Sequence, residues 1–427
     1  MFKTQQCPLA FTRSSIFCGV ALLLAVASVA GDEPLERATA VLARHPIVDG
    51  HNDLPWAIRE SATAPRDVVA YDLRRPTTGN TDIERLRQGG VGGQFWSVYV
   101  PAEIQGQGYA RVQLEQIDIA RRVIARYPEA LQLATTADEV DSAMRGGRIG
   151  SLLGMEGGHA IENSLGALRA YFELGARYMT LTHNKTLDWA DAATDEPRHS
   201  GLTRFGEEVV REMNRLGMLV DLSHVSPDTM QDALRVSEAP VIFSHSSARA
   251  LCDHPRNVPD AVLRALPANG GVVMLTLVNA FVSREYSRAA TPIWKEYEER
   301  SKRLPDPAAR QQLWRELKAR MPTIKVTIAE VADHVEHVRK LAGVEHVGLG
   351  GDYDGNDAWP EGLEDVSGYP RLFAELVRRG WSDDDLARLA NGNILRVMRK
   401  AEAVARRLQT ARPASTATIQ ELDGARP

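Results

Sequence analysis

Cysteine is scarce in this chain: three residues in 427, at Cys7, Cys18 and Cys252. Two of them fall in the first 30 residues, so a processed chain keeps only Cys252. A lone thiol cannot close an internal disulfide, which excludes a disulfide-stapled scaffold. Positive charge is not in excess either. Lys and Arg number 51 against 56 Asp and Glu, for a net charge of -5. No basic patch dominates, which argues against a nucleic-acid partner. After residue 30 no apolar run is long enough to span a bilayer. The sequence also lacks internal repeats and any linker that would divide it into domains.

What is present is an ordinary globular composition, 44% hydrophobic and 25% charged. The length suits one large α/β barrel or two common domains. The first 30 residues stand apart: Lys3 and Arg13 precede an uncharged apolar run over 16–30, and Ser28 and Ala30 supply the small residues of a cleavage site. This pattern predicts a signal peptide over 1–30. The expectation is a secreted or periplasmic protein with no membrane anchor after cleavage. A Pro-, Ala- and Thr-rich end predicts a flexible tail over 410–427, leaving 31–409 as the folded unit.

Between these ends, short apolar runs alternate with helical patterns. The runs are 46–51, 93–100, 149–156, 178–183, 219–224, 241–245, 272–278 and 346–352. Several are nearly continuous in Val, Ile, Leu, Met and Phe, as strands covered on both faces are. Helical periodicity fills 112–126, 165–174, 205–216, 227–236 and 328–341, with start signals at Ser226, Pro227 and Thr327. Eight runs alternating with helices predict a (β/α)8 TIM-like barrel; an open doubly wound sheet is the second choice. After the seventh strand, 279–325 is a charged insertion containing Trp294, Tyr297 and Trp314. Pro305 and Pro307 divide it into two helices, placed to cover the barrel mouth or carry a subunit contact.

The apolar runs end in ligand-type residues. His51 and Asp53, Glu156, His183, His224, His245 and Asp352 close six different runs. In a barrel the C-terminal strand ends share one face, where active sites lie. His51 and Asp53 are two apart on extended chain, so their side chains leave the same side. Imidazole and carboxylate are ordinary zinc ligands. Three histidines with two carboxylates exceed the needs of one tetrahedral zinc and suit two metals sharing a carboxylate. Glu156, flanked by glycines, is the natural bridge. The remaining histidines do not share that geometry. His334 and His337 fit a solvated helical face, His346 begins a strand, and His159 stands just behind Glu156.

Separated motifs strengthen this reading. HNDLPW at 51–56, GMEGGHAI at 154–161, YMTLTHN at 178–184 and VDLSHVS at 220–226 are followed by FSHSSAR at 243–249. RNVPD at 256–260, GLGGDYDG at 348–355 and PEGLEDVSGYP at 360–370 complete the series. Together, over about 45–398, they resemble the renal, or membrane, dipeptidase family. The resemblance implies a (β/α)8 barrel with two zinc ions that hydrolyses dipeptides with a free C-terminal carboxylate, often with a D-residue there. It implies His51, Asp53 and Glu156 as ligands of one zinc and Glu156, His224 and His245 as ligands of the other. His183 resembles the residue facing the substrate carbonyl, Arg256 the carboxylate contact and Asp352 the proton-transferring acid. A small peptide substrate and a homodimer are the expected partners. Two other readings stay open: an amidohydrolase acting on lactams, lactones or formylated amino acids, and a barrel that binds without catalysis.

Overall fold

The computed structural model describes residues 33–104, 108–304 and 306–424. The proposed signal peptide, 1–30, and Pro305 lie outside the described residues. Nine strands form one parallel sheet: β1 (Ile47–Asn52), β2 (Val91–Ser97), β3 (Leu131–Leu133), β4 (Ile149–Glu156), β5 (Ala176–Thr180), β6 (Leu219–Asp221), β7 (Ile242–Phe243), β8 (Val272–Leu275) and β9 (Val347–Leu349). Pairing of β2 with β4 closes the ring, and β3 adds to the lower edge of β4 without entering it. The closed ring therefore has eight strands, each corresponding to one of the eight apolar runs. β3 is three residues long, too short for a sequence pattern to mark.

Six of the eight ring strands stop earlier than the apolar runs. β6 ends at Asp221 and β7 at Phe243. The following residues, down to His224 and His245, leave the sheet and turn over its C-terminal mouth. Inside the ring, Val48, Phe95, Leu152, Tyr178, Leu219, Ile242, Val272 and Met274 pack into one cluster. That cluster continues into Ile394, Leu395 and Met398 on the helix Asn393–Ala411. The barrel is thus a filled core with its chemistry confined to one end. The helical start signals act as expected. Ser226 Oγ accepts from Thr229 N, with Pro227 in the first turn. Thr327 and Glu330 form a capping box, a device worth about 1 kcal/mol.

The insertion folds as three helices, Asn279–Val282, Arg284–Ser301 and Pro307–Lys318. Trp294 and Trp314 stack with centroids 4.3 Å apart. Trp314 Nε1 and Lys318 Nζ both donate to Asp357, on the segment after β9, at 3.0 and 2.6 Å. Glu298 lies 3.7 Å from Lys185, on the segment after β5. The insertion therefore spans from one side of the mouth toward the other. Among the described residues no helix is long and apolar enough to cross a membrane, and Cys252 is a buried free thiol.

Two local readings change. The segment assigned to a flexible tail is docked over 412–424. Arg412 donates to Arg211 O, Ser415 N to Glu212, and Phe205 N to Asp423, and the short helix Ile419–Asp423 has its own capping box. These three partners sit on one helix, Arg204–Leu216, and Ile419 and Leu422 pack against the hydrophobic core. His334 does not face solvent: it is 1% exposed. Its Nδ1 accepts from Ala248 N at 3.0 Å and its Nε2 donates to Val282 O at 2.9 Å. His337, on the same helix, pairs with Asp260 at 2.8 Å.

The His334 bonds need a neutral ring. Burial pushes His334 down from 6.5 to about 4. An unfolded chain takes up this proton first as pH falls. The stabilisation is complete above pH 6.5 and is lost toward pH 4, about 3 kcal/mol in all. His334→Gln retains an acceptor and a donor but no titrating group. Its urea midpoint should fall less than that of the wild type between about pH 7 and about pH 4. Equal falls would reject this role.

Candidate active site

Six strand ends bring the predicted side chains together. Glu156 ends β4 and stands at the centre. His224 Nε2 lies 2.9 Å from its Oε1, His245 Nε2 at 3.5 Å and His183 Nε2 at 3.7 Å. His51 Nε2 lies 3.5 Å from Glu156 Oε2, 3.1 Å from Asp53 and 4.0 Å from Asp352. Ligand-type atoms of His51, Asp53 and Glu156 fall within 4.8 Å of one another, and so do those of Glu156, His224 and His245. A third such group is His51, His245 and Asp352. Every predicted site residue is in or beside this cluster.

The far side of each imidazole explains which nitrogen points inward. Asn184 Oδ1 is an acceptor 3.1 Å from His224 Nδ1, so that nitrogen carries the hydrogen. Ser244 Oγ donates to Asp221 at 2.6 Å and therefore accepts from His245 Nδ1 at 2.8 Å. Both Nε2 lone pairs are left facing each other at 2.9 Å. Burial drives both rings well below the usual histidine range, so both stay neutral. Two buried lone pairs aimed at one carboxylate repel unless a cation lies among them. This donor set fits a divalent metal, and the Nδ1 partners are those that orient metal-binding histidines. His51 Nδ1 meets Tyr178 OH at 2.8 Å. Tyr178 fits only because residue 154 is glycine: a Cβ there would overlap the phenol ring.

Several of these partners carry no signal in the sequence. Tyr178 and Ser244 sit inside strand-like runs and look like core. Asp221 accepts from Thr180 Oγ1, Ser244 Oγ, Ser223 N and Ser244 N, and so orients the histidine side of the cluster. Asp49 accepts from His51 N at 2.9 Å, from Gly351 N at 3.1 Å and from Tyr369 OH. Its place two residues before His51 was the available clue.

The outer residues are poised differently. Arg256 is buried, and its Nη2 reaches His245 O at 3.3 Å while Nη1 has no protein partner. It forms no ion pair among the described residues, and burial lowers it to about 10. His183 is lowered to about 4 by burial, and its Nδ1 is unpartnered. Its ring lies against Tyr99 and His224. Asp352 is raised well above the carboxylate range by burial, with His51 opposing and Asp53 and Glu156 adding. Asn356 Nδ2 donates to it at 2.8 Å. His224 and Asp352 both have left-handed backbones, φ 67° and 62°. Such conformations cost of order 1 kcal/mol in a non-glycine residue and cluster at functional sites. His159 is turned away, with Nε2 bonded to Val100 O at 2.8 Å.

A parallel barrel whose strand ends gather histidines and carboxylates around a shared Glu defines a metal-dependent hydrolase. The membrane dipeptidase family (peptidase family M19) matches residues 35–412, and the chain belongs to it. The protein is a metal-dependent dipeptidase of this family. Dipeptidase 3 from Rattus norvegicus is 42% identical over 374 residues, covering 86% of this chain and 68% of the relative. Dipeptidase 3 from Mus musculus is 42% identical and covered to 67%. The solved probable dipeptidase PvdM from Pseudomonas aeruginosa superposes with a TM-score of 0.74 at 21% identity, over 87% of this chain and 99% of that one. A metallo peptidase from Rhodobacter sphaeroides, solved with a phosphinate mimic of L-Ala-D-Ala, gives 0.67 at 24% identity, over 83% and 99%. Both solved structures share the fold.

Ser244→Ala removes the acceptor that fixes the His245 ring. Metal affinity should fall roughly 10–100-fold, read by competition with a chelating dye. Unchanged affinity would show that Ser244 does not set this ring.

Proposed function

We propose that the protein hydrolyses dipeptides bearing a free C-terminal carboxylate, using two zinc ions. His51, Asp53 and Glu156 would hold one ion, and Glu156, His224 and His245 the other. When bound, such ions polarise a carbonyl and bring the pKa of a coordinated water toward neutrality. The carrying observation is the Glu156 cluster with Arg256 buried beside it, one guanidinium nitrogen free.

Arg256 binds the substrate carboxylate through charge-assisted hydrogen bonds. A longer C-terminal side would separate this carboxylate from the scissile bond, so the clamp selects dipeptides. It reads a group that L- and D-residues both possess, which supports acceptance of C-terminal D-residues. His183, neutral near pH 7 because of its burial, donates to the carbonyl oxygen as negative charge develops. Asp352 takes a proton from the attacking water and returns it to the nitrogen of the leaving amine. Its carboxylate lies 4.0 Å from His51 Nε2 and accepts from Asn356 Nδ2 at 2.8 Å, which holds it beside the proposed metal ligands. The signal-like 1–30 segment supports export of the enzyme.

Asp352→Asn should lower kcat by roughly 10²–10⁴-fold while both metals stay bound. Activity at the wild-type level would remove Asp352 from the mechanism. Arg256→Ala should reduce kcat/KM for free dipeptides by about 3 kcal/mol, roughly 100-fold. Dipeptide amides, already poor substrates, should change little. Equal cleavage of acids and amides by the wild type would defeat the carboxylate clamp.

A further inference from the structure

The segment 77–82 belongs to no strand end, yet it grips both sides of the cluster. Thr81 Oγ1 accepts from Asn52 Nδ2 at 2.8 Å. Asn52 sits between His51 and Asp53. The adjacent Asn80 is tied reciprocally to Asp354, two residues beyond Asp352. Asn80 N donates to Asp354 Oδ1 at 2.7 Å, and Asp354 N donates to Asn80 Oδ1 at 3.0 Å. Asn80 is itself fixed: Nδ2 donates to Glu364 O at 2.7 Å, and its carbonyl accepts from Val366 N at 3.2 Å.

The two gripped segments also touch directly. Asp352 N donates to His51 O at 3.1 Å, and Asp53 N donates to Tyr353 O at 2.8 Å. The fit leaves no spare room. A Cβ at Gly79 would overlap the Asp354 carboxylate, and one at Gly355 would fall between the carboxylates of Asp53 and Asp352. Asp352 and Asp354 both hold φ near 62°. Two left-handed non-glycine residues flanking one tyrosine relax unless their surroundings restrain them. The Asn80–Asp354 pair is a restraint placed on that turn, and Asn80 is itself anchored by Glu364 and Val366.

We infer that Asn80 and Asp354 form a positioning clamp that sets the Asp352 carboxyl against the His51–Asp53 segment. Neither residue needs to touch substrate. The clamp deepens the reading of Asp352 as proton carrier and rests on it. Its effect is on the proton-transfer step: a carboxyl displaced by about 1 Å loses much of its rate advantage while substrate still binds.

The test uses the full-length, metal-loaded enzyme with a dipeptide substrate. Asn80→Ala and Asp354→Ala should each lower kcat roughly tenfold or more, with KM within about threefold and metal content complete. Asp354→Asn keeps the oxygen that accepts from Asn80 N and should recover most of the kcat lost in Asp354→Ala. In the Asn80→Ala, Asp352→Asn double variant the losses should not add, because both act through one carboxyl. Should an alanine variant fail to fold, Asn80→Ser takes its place with the same expected split. Wild-type kcat in both alanine variants, beside a collapsed Asp352→Asn, overturns the clamp alone. Loss of metal in step with activity, or Asp354→Asn as poor as Asp354→Ala, also overturns it. An Asp352→Asn variant with wild-type kcat overturns the proton-carrier reading, and the clamp falls with it.

Discussion

Two neutral imidazoles face each other across 2.9 Å with their lone pairs inward, beside a buried carboxylate. His224, His245 and Glu156 are all buried, and each Nδ1 is already bonded on the far side. The structure around the cluster is best understood as what holds this unfavourable geometry in place. A filled eight-stranded ring supplies stiffness from below, and tightly packed interiors resist relaxation. Asp221, with four donors, and Asp49, with three, fix the loops from which the ligand-type residues project. The left-handed backbones at His224 and Asp352 are a further cost carried by the same frame. A divalent cation among these groups would reverse the sign of the central interaction.

The parts of this design that can be read from sequence are those with a one-dimensional period. Strands covered on both faces leave runs of Val, Ile and Leu, and a parallel barrel turns the end of each run into a position on one face. His51, Asp53, Glu156, His183, His224, His245 and Asp352 are visible for that reason. Tyr178 is not, because a buried tyrosine in a strand has the same pattern whether its hydroxyl is idle or bonded to His51. Ser244 and Asn184 are short polar residues beside visible ligands, and only three-dimensional direction gives them a role. His334 was misread because a histidine on a charge-rich helix looks solvated, while the short helix Asn279–Val282 comes from a distant part of the chain to cover it. The docked end at 412–424 was misread for a related reason. Its attachment combines hydrogen bonds to two helices with burial of Ile419, which composition does not record.

The outer structure supports the site from two sides. The histidine side is held by Asp221 and Ser244, close to the strands. The acid side, with Asp352, hangs on a turn beyond β9 that is bonded to the 77–82 segment, to Asn356 and, through Asp357, to the insertion. Lys318 and Trp314 share Asp357, one residue from Asn356, which donates to Asp352. The insertion is thus two contacts away from the proposed proton carrier and also reaches Lys185 near His183.

That connectivity constrains how specificity can vary on this barrel. The insertion meets both sides of the site: Trp314 and Lys318 bond Asp357 beside the turn carrying Asp352, and Glu298 lies 3.7 Å from Lys185, next to the Asn184 that bonds His224. The Asn80–Asp354 bonds reach that turn from a segment outside the insertion, so a change confined to the insertion leaves their bonding groups unchanged.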